Sequence, residues 1–139
     1  MRRVLLVTDA SWVANDVRAA LAVDNWDITD LSDPKLTAEV AEHIEPEAIV
    51  IDMQVQSMGG MAIIRSVRAA FQATTPPPRM VLLLDRSADR FLARRALADA
   101  AVLKPINADE LRSALGRTDL SAVGATDSAR TRKKAPKKS

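Results

Sequence analysis

The stretch Ala48-Ile49-Val50-Ile51-Asp52 is an unbroken apolar run that ends in a carboxylate. Unbroken runs, in contrast to alternating apolar and polar residues, are typical of strands that are covered on both faces of a parallel sheet. Similar short runs lie at positions 4–7, 80–84 and 101–103, and positions 26–31 form a weaker strand pattern with apolar residues at 26 and 28. The sequence therefore predicts five strands.

Apolar residues at helical spacing follow each of these strands. They are Val13, Val17, Ala20 and Leu21 after the first strand, Leu36, Val40 and Ile44 after the second, Met61, Ile64, Val67 and Phe71 after the third, Phe91, Leu92, Ala96 and Leu97 after the fourth, and Leu111, Ala114 and Leu115 after the fifth. Capping residues at Ser11, Asp33-Pro34 and Asn107 predict three of the helix starts. Five such units predict an α/β fold, a flavodoxin-like, doubly wound five-stranded parallel sheet in the order 2-1-3-4-5 with helices on both faces.

The residue types that the chain lacks exclude several kinds of chemistry. The 139-residue sequence has no cysteine and a single histidine, His43, which excludes a disulfide framework and a cysteine nucleophile and argues against a histidine zinc site. No run approaches the roughly 18 apolar residues that a membrane span needs. We therefore expect a cytoplasmic protein without membrane contact, in which His43 is only a helix-end residue.

Charge divides the chain into two parts. Residues 1–120 hold 14 Lys and Arg against 17 Asp and Glu, whereas residues 121–139 hold six basic residues against Asp127 alone. The helical periodicity stops after Thr118, so we predict one domain over 1–118 and a disordered basic tail over 119–139. That tail offers at most weak, nonspecific nucleic-acid contact, since its sequence holds no aromatic residue that could stack on bases.

Functional groups follow four of the predicted strands. Asp9 comes just after the first strand, Asp52 ends the third, Asp85 follows the fourth and Lys104 follows the fifth. Ligands of such sheets bind beyond the carboxyl ends of the strands, so we expect these side chains to converge, with Asp9 and Asp52 side by side. Paired carboxylates suit Mg²⁺, and a carboxylate can also accept a phosphoryl group as a nucleophile. A bound metal would neutralise charge on that group, and Lys104 would pair with the product.

From Val4 to Leu115 the sequence resembles a response-regulator receiver domain of bacterial two-component signalling. The matching pieces are Val7-Thr8-Asp9, Ile51-Asp52-Met53, Met58-Gly59-Gly60-Met61 and Leu103-Lys104-Pro105. The resemblance implies that a histidine kinase or phosphotransfer protein phosphorylates the aspartate of the second piece. It also implies that Mg²⁺ is held by Asp9, by that aspartate and by the main-chain carbonyl of Gln54, and that a cis peptide bond precedes Pro105.

Three positions depart from the usual receiver pattern. Thr8 stands where receivers usually have a second acid, Asp85 where they have Ser or Thr, and Ala101 where they have an aromatic residue. Two like charges about 4 Å apart repel by roughly 4 kcal/mol at an effective dielectric constant of 20. We therefore expect Asp85 to turn away from a phosphorylated aspartate, to pair with Arg86 or Lys104, or to join the metal shell. The segment between Asp85 and Lys104 is also short, which predicts a trimmed fourth helix.

Three functions are compatible with these features. The first is an atypical stand-alone receiver that accepts a phosphoryl group on Asp52, catalyses at most its own phosphorylation and dephosphorylation, and signals by docking on an output protein. The second is a phosphorylation-independent pseudo-receiver that acts as a protein-interaction module. The third is a flavodoxin-like cofactor protein, which is disfavoured because no glycine-rich phosphate loop follows the first strand. Trp12, at the start of the first predicted helix, is expected to serve packing.

Overall fold

The computed structural model describes residues 2–55, 58–71 and 76–116. Within them a five-stranded parallel sheet has the order 2-1-3-4-5. Its strands are β1 (Arg2–Val7), β2 (Trp26–Leu31), β3 (Ala48–Asp52), β4 (Arg79–Leu84) and β5 (Ala100–Leu103). The predicted strands and their order are confirmed. The predicted basic tail lies outside the described residues.

Helices connect the strands and cover both faces of the sheet. They are α1 (Ser11–Leu21), α2 (Thr37–Ile44), α3 (Gly60–Phe71), α4 (Arg90–Arg95) and α5 (Ala108–Leu115), with 3₁₀ turns at Pro34–Leu36 and Ser87–Asp89. Every predicted helix is present, and α4 is short, as the sequence indicates. His43 lies in the last turn of α2, where it was expected. None of the helices in the described ranges is long and apolar enough to cross a membrane.

Alternate residues of the inner strands enter two separate cores, which explains the unbroken apolar runs. In β1, Leu5 and Val7 pack into the core beneath α2, α3 and α4, whereas Val4 and Leu6 pack into the core beneath α1 and α5. The residues of β3 divide in the same way. Since side chains of a strand point alternately to the two faces, a strand between two helical layers must be apolar throughout.

Side-chain caps begin two of the helical segments as predicted. The Asn107 carboxamide oxygen accepts from the Glu110 amide at 2.9 Å, and the Asp33 carboxylate accepts from the Lys35 amide at 3.1 Å. The prediction of Ser11 as a cap is wrong, because Ser11 is already the first residue of α1.

Leu97 carries the clearest backbone strain in the fold. It follows α4 with φ of 66°, a left-handed conformation in which a side chain costs roughly 1 kcal/mol, and the residue is 63% exposed. We therefore expect Leu97→Gly to raise the free energy of unfolding by about 1 kcal/mol, measured by urea denaturation. Val23→Gly is the matched control, since Val23 is an exposed apolar residue without a positive φ. If the Leu97→Gly protein is no more stable than the parent, the positive φ of Leu97 does not destabilise the fold.

Candidate functional site

Adjacent strands deliver the predicted site residues to one edge of the sheet. β3, which ends in Asp52, lies between β1 and β4, and β5 lies on the far side of β4. Thr8, Asp85 and Lys104 directly follow β1, β4 and β5, respectively. Because all strands are parallel, these residues meet at the carboxyl edge, where ligands of doubly wound folds bind.

The Asp52 carboxylate is buried, with 2% of the residue exposed, and it accepts hydrogen bonds on both oxygens. Its Oδ1 atom accepts from the Lys104 ammonium at 2.7 Å and from the Gln54 amide at 3.0 Å. Its Oδ2 atom accepts from the Thr8 hydroxyl at 2.7 Å. These donors compensate the carboxylate for the water that burial removes, and they hold it in one orientation.

Lys104 is the cation of the site. Its side chain is only 6% exposed, and the peptide bond to Pro105 is cis, as the resemblance implies. Besides Asp52, the ammonium contacts the Asp85 carboxylate at 3.1 Å, and that side chain is 39% exposed. Of the arrangements expected for Asp85, the structure has the ion pair with Lys104. Arg86 instead pairs with Asp89 at 3.0 Å.

The role of Thr8 was missed in the sequence, where this residue counted only as a departure from a pattern. Val7 is in register with Ile51, so the residues that follow, Thr8 and Asp52, stand side by side. The Thr8 hydroxyl oxygen also accepts from the Ala10 amide at 3.1 Å, which ties the site to the entry of α1. Asp9 lies one position further along, exposed to solvent.

Trp12 lies at the site and not in the core. The Lys104 ammonium is 5.6 Å from the centroid of its ring, and the residue is 53% exposed. The packing interpretation of Trp12 is therefore wrong. A cation over an indole face at this distance is a weak attraction, which adds to the contacts that orient the ammonium.

Gly60 allows α3 to begin directly against the end of β3. Gly60 is the first residue of α3 and is buried. A Cβ atom there would lie 2.7 Å from Leu82 Cδ1 and 3.1 Å from the Met53 Cα atom. A larger residue would therefore require the Leu82 side chain to shift and the Met53 backbone to give by a few tenths of an ångström, and the spacing of the sequence gives no sign of this approach.

No family model matches the sequence. The chain is 31% identical over 127 residues to the probable transcriptional regulatory protein TcrX of Mycobacterium tuberculosis, which covers 86% of this chain and 52% of that protein. The chain thus spans about half the length of this curated relative.

Two solved receiver structures illustrate the likeness in fold. One is the receiver domain of the sensor histidine kinase PA1611 from Pseudomonas aeruginosa, with magnesium in its active-site cleft. It has a TM-score of 0.70 and 21% identity, and the match covers 89% of this chain and 98% of that one. The other is a response regulator from Burkholderia pseudomallei with a phosphorylated aspartic acid, a calcium ion and citrate. Its TM-score is 0.69 at 20% identity, over 88% of this chain and 71% of that one.

The sheet order and the residues gathered at its carboxyl edge define an α/β protein of the flavodoxin-like class. The comparisons specify the class further. The described part of the chain has the fold of a response-regulator receiver domain, and the resemblance found in the sequence is confirmed.

Proposed function

We propose that this receiver accepts a phosphoryl group on Asp52 from a histidine kinase or a phosphotransfer protein. The observation that carries the proposal is the buried Asp52 carboxylate with the Lys104 ammonium 2.7 Å from Oδ1. A carboxylate oxygen attacks the phosphorus of a phosphohistidine, the P–N bond breaks, the imidazole leaves, and an acyl phosphate forms. Lys104 then pairs with the phosphoryl oxygens, and attack of water on phosphorus later releases phosphate and restores the carboxylate.

The oxygen donors at this edge suit a hard divalent cation. The side chains of Asp9, Asp52 and Asp85 carry three negative charges against the single positive charge of Lys104, so the site favours added positive charge. The described ranges hold no cluster of three or more acidic, histidine or cysteine side chains that could bind a metal. Following the receiver resemblance, we assign Mg²⁺ to two carboxylates, Asp9 and Asp52, with the Gln54 carbonyl, completed by water. When bound, the ion would neutralise charge on the transferring phosphoryl oxygens.

Signalling would follow from docking of the phosphorylated form on an output protein. Phosphorylation shifts the population between two conformations only if one of them accommodates the new charge better. The basic tail, residues 119–139, would add at most weak and salt-sensitive contact with nucleic acid.

A phosphodonor assay tests the acceptor directly. We expect acetyl phosphate with Mg²⁺ to add the mass of one phosphoryl group to the protein, and Asp52→Asn to abolish the addition. Asp30→Asn is the matched control because Asp30 is an exposed, ion-paired aspartate of the edge strand β2. Intact-protein mass spectrometry measures the result. An unchanged mass gain in Asp52→Asn would refute the assignment of the acceptor.

One observation favours the alternative, a phosphorylation-independent interaction module. The Thr8 hydroxyl donates to Asp52 Oδ2, and the Asp85 carboxylate pairs with the Lys104 ammonium. The carboxylate oxygen that would accept a phosphoryl group and the cation that would pair with it are therefore both already in contact with other groups. This alternative requires that a fully folded protein gains no mass from the phosphodonor. The same assay therefore separates the two functions.

A further inference from the structure

We propose that Asp85 is a displaceable counter-ion of Lys104, and that its release couples phosphorylation of Asp52 to the segment 85–95. The inference rests on the proposed function, since it needs a phosphoryl group on Asp52. It identifies Asp85 as a positioning residue that touches the ammonium, and it names the element that changes state.

The ammonium of Lys104 is shared between two carboxylates that differ in their freedom to move. It lies 2.7 Å from Asp52 Oδ1 and 3.1 Å from Asp85 Oδ1. Asp52 is fixed at the end of a central strand and is buried, whereas the Asp85 side chain is 39% exposed just beyond β4. Any competition for this cation therefore ends with the departure of Asp85 into water.

Phosphorylation creates that competition. It replaces the single negative charge of the Asp52 carboxylate by a phosphoryl group of charge about −1.5 to −2 within reach of the same ammonium. Lys104 pairs more strongly with the new group, and Asp85 then faces a larger like charge across a distance of a few ångström. The ion pair with Lys104 that held Asp85 in place is lost.

Few residues of the segment that begins at Asp85 are buried. The Asp89 amide donates to the Arg86 carbonyl at 3.0 Å and the two side chains form an ion pair. The amide of Arg90, the first residue of α4, donates to the Ser87 carbonyl and so joins this turn to the helix. Residues 85–88 are exposed, and the buried residues of the segment 85–95 are Asp89 and Ala93. Two residues beyond the segment, Leu97 has a positive φ, and its carbonyl accepts from Arg68 Nε at 3.1 Å. A segment with Ala93 as its one buried apolar residue has few buried apolar contacts, which is a mark of a locally unstable unit.

Hydrogen exchange of the full chain measures the release of this segment. We expect Asp85→Asn, without phosphodonor, to exchange the amides of residues 86–95 at least about fivefold faster than the parent, because the amide is a weaker partner for the ammonium. Asp85→Glu retains the charge and should restore protection. Asp30→Asn again serves as the control for loss of an exposed ion pair. Parental exchange in Asp85→Asn would overturn the proposal.

A second arm adds acetyl phosphate and Mg²⁺ and records both mass and exchange. The parent should gain one phosphoryl group and show the same acceleration over residues 86–95, and Asp52→Asn should show neither. If the parent gains the mass without faster exchange, this inference is overturned and the proposed function stands. If the parent gains no mass, the proposed function fails, and the coupling to phosphorylation fails with it.

Discussion

Replacing Lys104 by methionine is expected to lower the free energy of unfolding by about 3 kcal/mol, because it removes the cation that pairs with the buried Asp52 carboxylate. Methionine retains most of the length of the side chain, so the loss reports charge more than volume. The Asp52 carboxylate keeps donors from Thr8 and the Gln54 amide, which limits the loss. Urea denaturation measures the change.

A double-mutant cycle separates the ion pair from general effects of the substitution. Asp52→Asn removes the carboxylate charge that Lys104→Met leaves without a cation, so the double variant should recover about 1–3 kcal/mol relative to Lys104→Met alone. Lys35→Met is the matched control, because Lys35 lies exposed in the 3₁₀ turn before α2 and should change stability by less than about 0.5 kcal/mol. A similar loss in the free energy of unfolding in both lysine variants would show that the ion pair between Lys104 and Asp52 stabilises the fold no more than an exposed lysine does.

The fold could be predicted because its inner strands, β1, β3 and β4, are buried on both faces. A strand such as Ala48–Asp52 has no solvent face and therefore shows as an unbroken apolar run. The Asn107 cap was found because its side chain acts within one helical turn, a distance that the sequence displays. Ser11 failed as a cap because the choice between neighbouring residues depends on local backbone angles, which the sequence pattern does not fix.

The residues of the site could be listed from the sequence, but their mutual contacts could not. Contact between Thr8 and Asp52 depends on the register of two strands separated by 44 residues in sequence. The choice of Asp85 between Lys104 and Arg86 likewise depends on side-chain reach at the ends of two strands. Such contacts are tertiary, so residue type and spacing can show that they are possible without deciding which of them forms.

Thr8→Asp is expected to make the stability of the protein depend more steeply on Mg²⁺ than that of the parent. The new carboxylate would stand beside Asp52, where the hydroxyl now donates at 2.7 Å, and would replace a hydrogen bond by a like charge. Two charges about 4 Å apart at an effective dielectric constant of 20 repel by roughly 4 kcal/mol, so relaxation leaves a loss of about 2–4 kcal/mol without metal. Mg²⁺ at about 100 times its dissociation constant should return about 2.7 kcal/mol.

Thermal unfolding in EDTA and in a series of Mg²⁺ concentrations measures both effects. Thr8→Val is the matched control, since it keeps the branched shape, loses only the hydroxyl donor and should cost about 1–2 kcal/mol at every Mg²⁺ concentration. Comparing the Mg²⁺ dependence of Thr8→Asp and Thr8→Val separates the effect of a new charge at position 8 from the effect of losing the hydroxyl. A neutral donor satisfies the buried carboxylate in the absence of metal, whereas a second acid makes the metal necessary. Equal Mg²⁺ responses in Thr8→Asp and Thr8→Val would place the cation elsewhere than beside Asp52.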